Sequence, residues 1–231
     1  MSVDRAAGAL LILLPLAFNA FFLLLARRFE YPDILRKPTE EVLTRFQAGG
    51  VGLKLLWFGF MLTAVLLAPL AVLLGQVLSR DGLAFVPTAT VVGVLAAVVQ
   101  FFGLARWPFL VPALARAYTD PASSEARREA TAVVFEAFHR YLGVGIGEAL
   151  GYLLTGAWTL LVGVAMLQSS SFDAWLAWPG VGIGLLLIVG SLEFVGRFED
   201  RGWKLAGAII PMTYIGWSIW LMASGFVLVI G

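Results

Sequence analysis

The stretch FHRYLGVGIGEALGYLLTG, residues 138–156, carries the side chains best suited to chemistry. His139 is the only histidine in the chain and Arg140 follows it. Glu148 then interrupts a run that is otherwise apolar and rich in glycine. A carboxylate in such surroundings binds a cation, relays a proton or pairs with a base, because an isolated buried charge is costly. Arg106, in QFFGLARWPFLVP, and Glu193, in SLEFVGRFED, are two more ionisable groups set in apolar sequence. Glu136 and His139 have the Glu-x-x-His spacing of carboxylate di-iron bundles, but those sites need the motif twice. A single histidine also excludes a haem held by two histidines of one chain. The absence of cysteine removes disulfides, thiolate metal sites and cysteine nucleophiles. No Walker loop, dinucleotide fingerprint or HExxH is present. We therefore expect no metal and no cofactor, with His139 hydrogen-bonding a neighbour.

These residues must be positioned by membrane helices. The chain is 60% hydrophobic and 13% charged, whereas soluble domains are about half apolar and about a quarter charged. A span needs roughly 20 mostly apolar residues. Six stretches qualify: 8–26, 55–78, 87–105, 142–167, 180–196 and 205–230. The first is too long for a signal-peptide core, has no A-x-A cleavage site and runs into Arg27-Arg28, so it reads as a retained span. The sequence predicts an all-α, polytopic transmembrane helix bundle, one domain over residues 1–231. Its 27–54 loop would contain a short amphipathic helix.

Charge sets the orientation. Arg27, Arg28, Arg36, Lys37, Arg45 and Lys54 separate spans 1 and 2. Arg106, Arg116, Arg127, Arg128 and Arg140 separate spans 3 and 4, and Arg197, Arg201 and Lys204 separate spans 5 and 6. Only Arg5 and Arg80 fall on the other side. The positive-inside rule makes those three loops cytoplasmic and both termini outside. Trp175 and Trp178 suit the outer interface. A net charge of +1 gives no surface suited to nucleic acid.

Within the first basic loop, KPTEEVLTRF offers Thr39 as a cap and places Val42, Leu43 and Phe46 on one face. That pattern predicts a short helix lying on the inner membrane surface. SSEARREATAVVFEAFHRY is a second amphipathic run leading into span 4. Pro108 and Pro112 oppose simple continuation of span 3. Asn19 is expected to hydrogen-bond between helices.

Gly143, Gly147 and Gly151 recur every four residues and Thr155 continues the row. Small residues at this spacing let another helix approach closely, or leave room for a ligand. Glu148 lies some six residues inside span 4, roughly 9 Å at α-helical rise. On an α-helix it shares a strip with Arg140, Val144, Tyr152 and Thr155. Because spans 3, 4 and 5 alternate in direction, Arg106, His139, Arg140, Glu148 and Glu193 all fall in the cytoplasmic half. We expect them, with Tyr152, to form one polar ligand-binding site. In the alternative, Arg106 and Arg140 reach out to headgroups while Glu193 pairs with Arg197.

Several strings together resemble a known family: FNAFFLLLARRFEYPDILRKPTEEVLTRFQAGG, QFFGLARWPFLVPALARAYTDP, VVFEAFHRYLGVGIGEALGYLLTGAWT and SLEFVGRFEDRGWKLAG. The chain is similar, over nearly its whole length, to an uncharacterised family of bacterial polytopic membrane proteins, of the domain-of-unknown-function 4386 type. The resemblance implies a multi-pass protein of the bacterial inner membrane and supplies no activity. In that family's pattern histidine often follows the glutamate, as Gly-Glu-His-Leu-Gly-Tyr. Here Ala149 occupies that position, so any metal or proton role of that histidine has no carrier in this chain.

The function expected is binding or moving a small solute, a lipid headgroup or a proton at a cytoplasm-facing site. Membrane lipids are the expected partners. Six spans are few for an independent transporter, which suggests a homo-oligomer or a partner membrane subunit. One alternative is a scaffold or sensor subunit acting through the cytoplasmic loops. Another is a lipid-modifying enzyme with Glu148 as base and Arg106 on a phosphate, although neither serine-protease nor metalloprotease residue sets are present.

Overall fold

The computed structural model describes residues 2–198 and 201–230. It is all-α, with no strand among the described residues, and six of its helical stretches are long and apolar enough to cross a membrane. Such a chain has to be helical, since in lipid each backbone N–H and C=O must find its partner within the segment. The first span is α1, Val3–Phe29. The loop helix α2, Thr39–Ala48, precedes span 2, α3, Gly50–Leu78. Span 3 is α4, Val86–Phe109, followed by a short helix, α5, Val111–Thr119. Span 4 is one helical run of three parts. These are α6, Glu125–Phe138, a π-helix, His139–Leu150, and α7, Gly151–Leu167. Spans 5 and 6 are α8, Ala174–Gly190, and α9, Lys204–Ile230.

The spans form a closed ring. Each packs on the next in sequence, α1 on α3, α3 on α4, α4 on α7, α7 on α8 and α8 on α9, and α9 returns to α1. The α1–α9 closure is tight, for a methyl added at Gly8 would meet the Gly225 carbonyl oxygen at 2.8 Å. Near this seam Asn19 donates to Ser218 Oγ at 2.9 Å, the interhelical bond expected of it. The alternation puts the three basic loops at one end of the ring, called here the basic end.

Several helix limits differ from the hydropathy reading, for physical reasons. α1 begins five residues earlier, where Ser2 caps the Arg5 N–H, and ends where Glu30 turns left-handed (φ 54°). α4 runs through Pro108 and breaks only at Leu110, with Pro112 in the first turn of α5, where its missing N–H costs little. The helix of span 4 starts at Glu125, capped by Ser124. α8 starts at Ala174 and gives way at Ser191–Phe194 to a tighter 3-10 turn.

Two buried clusters fill the ring. One runs through its middle, around Leu70, Trp158, Trp217 and Leu221. The other, at the basic end, gathers Phe29, Phe46, Trp57 and Trp107. The Trp57 and Trp107 rings stack 4.4 Å apart at 9°. α2 joins this second cluster. Val42, Leu43 and Phe46 do share one face, but that face is buried against protein, with Phe46 stacked on Trp107. The partner is the face of α5 and the end of α4, which hydropathy alone does not bring to α2. Thr39 is the first helical residue, not the cap, and its hydroxyl donates to Glu136 at 2.8 Å.

Candidate functional site

The winding of His139–Leu150 decides which side chains share a face. An α-helix turns about 100° per residue, so positions nine apart lie half a turn from each other. A π-helix, with i→i+5 bonds, turns roughly 80° per residue, so nine residues complete about two turns. His139 and Glu148 are nine apart. π winding therefore brings them to one face, with Val144 between. The stretch suits a wide helix because Gly143, Gly145 and Gly147 bring no Cβ to crowd it.

That face lines a cleft of about 360 Å³ at the basic end. Its lining is Leu35, Arg36, Glu136, His139, Arg140, Val144, Glu148 and Phe194. Arg36, Glu136 and Arg140 are exposed at the rim, whereas His139, Val144 and Glu148 are partly buried inside. Glu148 lies farther along the helix, away from the basic end. Among the described residues, none hydrogen-bonds or forms an ion pair with its carboxylate.

The second wall comes from the loop after α1. Asp33–Arg36 makes a 3-10 turn that presents Leu35 and Arg36. Arg36 Nη2 donates to Glu193 at 3.0 Å, and its guanidinium lies 5.1 Å from the Phe194 ring centre. Glu193, 6% exposed, therefore pairs with a loop arginine 157 residues away and not with Arg197, which rests over Phe198. The loop is held at its other side by Glu30, which accepts from Arg45 and Lys37. The Arg45 guanidinium, and then the Lys37 ammonium, hold the Glu30 carboxyl down at about 2, and Glu30 in turn raises both bases. Tyr31, next in sequence, stands edge-on to Trp57 and Phe22. Lost hydration, with the Glu148 charge behind it, pushes its phenol above the usual range.

His139 Nε2 lies 3.1 Å from the Leu35 carbonyl oxygen. Nε2 must carry a proton to make that bond, so in the neutral ring Nδ1 is the bare acceptor. Nδ1 is buried without a partner. The ring stacks on Phe135 and stands edge-on to Trp107. His139 thus does bond a neighbour, and the bond ties the π-helix to the loop.

Arg106 lies behind this wall. It is 6% exposed, so it does not reach out to headgroups. Its Nη1 donates to the Gly103 carbonyl of its own helix, its Nε is buried without a partner, and its guanidinium lies 5.3 Å from the Trp107 ring centre. The space for it is Gly143, where an added methyl would sit 2.5 Å from Arg106 Nη2. Gly147 meets Gly103, where a methyl would approach the Gly147 Cα to 2.5 Å. Gly151 faces Gln100, whose amide donates to Thr155 Oγ1 at 2.7 Å. The small-residue row therefore packs on α4.

The structure thus brings His139, Arg140 and Glu148 to one cleft, with Glu193 holding its second wall. It leaves Arg106 enclosed behind and Tyr152 outside the lining. Tyr152 packs edge-on against Tyr214, 5.7 Å away. Leu35, Arg36 and Phe194 are lining residues that spacing did not indicate. Arg36 in YPDILRK looks like any loop cation.

No curated protein and no solved structure matches the chain. A family model does, that of a domain of unknown function, DUF4386, over residues 6–225, which reaches into all six spans. The chain belongs to the DUF4386 family.

Proposed function

We propose that this integral membrane protein binds a small polar ligand in the cleft at its basic end, with Glu148 as the anchoring group. The observation that carries this reading is the Glu148 carboxylate. It sits inside a membrane-length helix, faces a cavity and, among the described residues, has no hydrogen-bond or ion-pair partner. An ionisable group at such depth is kept for an ion, a proton or a substrate more often than for packing. His139 holds the π-helix to the loop, and the Arg36–Glu193 bond holds the opposite wall to the end of α8. By the positive-inside rule the cleft opens to the cytoplasm, here of a bacterial inner membrane. Lipids surround the ring, and a second copy or a partner subunit would be needed to extend the cleft into a path across the bilayer. The scaffold reading is less favoured, since the apolar face of α2 is already used inside the chain.

The test has two parts. Glu148→Cys, in membranes with the basic end exposed, should react with a membrane-impermeant maleimide, and adding Val144→Trp to fill the cleft should slow that labelling at least about tenfold. Glu148→Gln should remain folded and lose the thermal shift produced by any solute that stabilises the native protein. Labelling that is absent, or unaffected by Val144→Trp, would remove the cleft as a binding site.

A further inference from the structure

Building on that reading, we infer that the cleft takes a primary ammonium, its N–H groups on the Glu148 carboxylate and its short alkyl stem against Leu35 and Val144. The balance of acceptors and donors along the lining carries the inference. Among the described residues the Glu148 carboxylate has no hydrogen-bond or ion-pair partner, and its oxygens stay open to the cleft. At the rim Glu136 accepts the Thr39 hydroxyl and forms no ion pair among the described residues. The positive groups nearby are engaged. Arg36 is paired with Glu193, and Arg140 has an interaction of its own. Arg106 is enclosed behind the wall, with a donor on the Gly103 carbonyl. What the cleft leaves open is therefore negative and hydrogen-bond accepting. An anion would meet the Glu136 and Glu148 carboxylates and would have to compete with Glu193 for Arg36.

The size and lining of the cleft choose among cations. Among the described residues no three histidine, aspartate or glutamate side chains converge as a metal site. A bare metal ion would find too few ligands to replace its water, whereas an ammonium brings three N–H donors to one carboxylate. Leu35 and Val144 beside Glu148 are apolar and suit a hydrocarbon stem. A cavity of about 360 Å³ has room for a few carbons behind the ammonium. A quaternary ammonium has the charge without the N–H groups. The Phe194 ring, which could receive it, already borders the Arg36 guanidinium. Two sources present a primary ammonium, an amine entering from the water and the headgroup of an ethanolamine phospholipid.

The experiment is titration calorimetry on the full chain in phosphatidylcholine nanodiscs, which carry no primary amine and no net charge, with empty nanodiscs as the blank. n-Butylammonium should bind, tetramethylammonium about tenfold more weakly for want of N–H donors, and butyrate not at all. Glu148→Gln should weaken n-butylammonium about ten- to a hundredfold, the usual effect of losing a charge-assisted bond. Glu136→Gln, at the exposed rim, should weaken it only about twofold. An unchanged melting temperature and near-ultraviolet dichroism would show that each variant is folded, and the probe series on the wild-type chain decides the outcome where one is not. Phosphatidylethanolamine nanodiscs separate the sources. Amine binding kept in them means a soluble amine, amine binding lost means that the lipid headgroup holds the site, and both uphold the ammonium. The inference falls if tetramethylammonium binds as tightly as n-butylammonium, if butyrate binds, or if folded Glu148→Gln binds n-butylammonium as wild type does. It falls also if no probe binds in phosphatidylcholine. In that case Glu148→Cys labelling as described above would show that the cleft reading stands and only the ligand class is wrong.

Discussion

Along span 4, glycine does two different things. At Gly156, in α7, a methyl would meet the Gly184 carbonyl oxygen at 2.7 Å and the Ile188 nitrogen at 2.8 Å, both backbone atoms of α8. At Gly143, in the π-helix, it would meet the Arg106 guanidinium at 2.5 Å, the far end of a long side chain. In the first case two helices touch backbone to backbone and neither can give way. In the second the space is occupied by one group that moves about its own dihedrals. The same residue type, three turns apart, makes a rigid seam in one half of the span and shapes the wall of a cavity in the other.

Substitutions at the two kinds of glycine should separate them. The largest effect is expected from Gly184→Ala, whose new methyl would lie 2.5 Å from the Leu160 nitrogen and 2.7 Å from the Gly156 carbonyl oxygen. Overpacking of this kind costs about 1–3 kcal/mol, which corresponds to a melting temperature lower by about 5 °C for a chain of this size. Tryptophan-detected unfolding in detergent would read it, and a melting point equal to wild type would refute the rigid seam. Gly143→Ala should cost less, about half as much, because Arg106 can shift. Its mark would be a changed Trp107 emission, since the displaced guanidinium lies over that ring.

Glu148→Gln should change the melting temperature little, by about 1 °C or less, because among the described residues no donor to the carboxylate is lost. A large drop would mean that the carboxylate is a structural pin, and would move the cleft into the same class as the α7–α8 seam. The smallest effect concerns the loop that builds the second wall. Glu30 has its carboxyl lowered from 4.5 to about 2 by Arg45 and Lys37. A lowered folded value stabilises above the unfolded one. The contribution is therefore complete above about pH 4.5, is lost as pH falls toward 2, and is flat at neutral pH. Glu30→Gln should remove that part of the acid sensitivity, and salt should weaken the wild-type effect because the groups are exposed. Identical melting-temperature profiles of the two proteins between pH 7 and pH 3 would show that Glu30 does not hold the loop.

The bundle was readable because its signal is long-range in composition and local in position. Apolar runs of more than 20 residues, separated by basic loops, leave little choice of fold for segments such as 55–78 and 205–230. The cleft was readable only in part. Glu148 and His139 stand out because they are rare types in apolar sequence. What places them together is π winding, which no spacing of side chains announces and which reverses the α-helical expectation for positions nine apart. Arg36 was hidden for another reason. Its partner Glu193 is distant in sequence, and only the closure of the ring brings the first loop to the end of α8. The loop helix α2 shows the same limit. Its apolar face was evident, but whether lipid or protein covers it depends on α5, which becomes a separate helix only at the break after Phe109.

The Trp57–Trp107 stack gives the molecule a built-in optical reporter. Two indoles whose centres are 4.4 Å apart and nearly parallel share their excited states. They would produce a coupled signal in circular dichroism, which a difference spectrum against Trp107→Phe separates from that of the second pair, Trp158 and Trp217, 6.5 Å apart at 71°. Of the stacked indoles one belongs to α3, the other to α4, and the second also borders His139 and Arg106. The shape of that band therefore follows the distance between two spans at the back of the cleft, with no label attached.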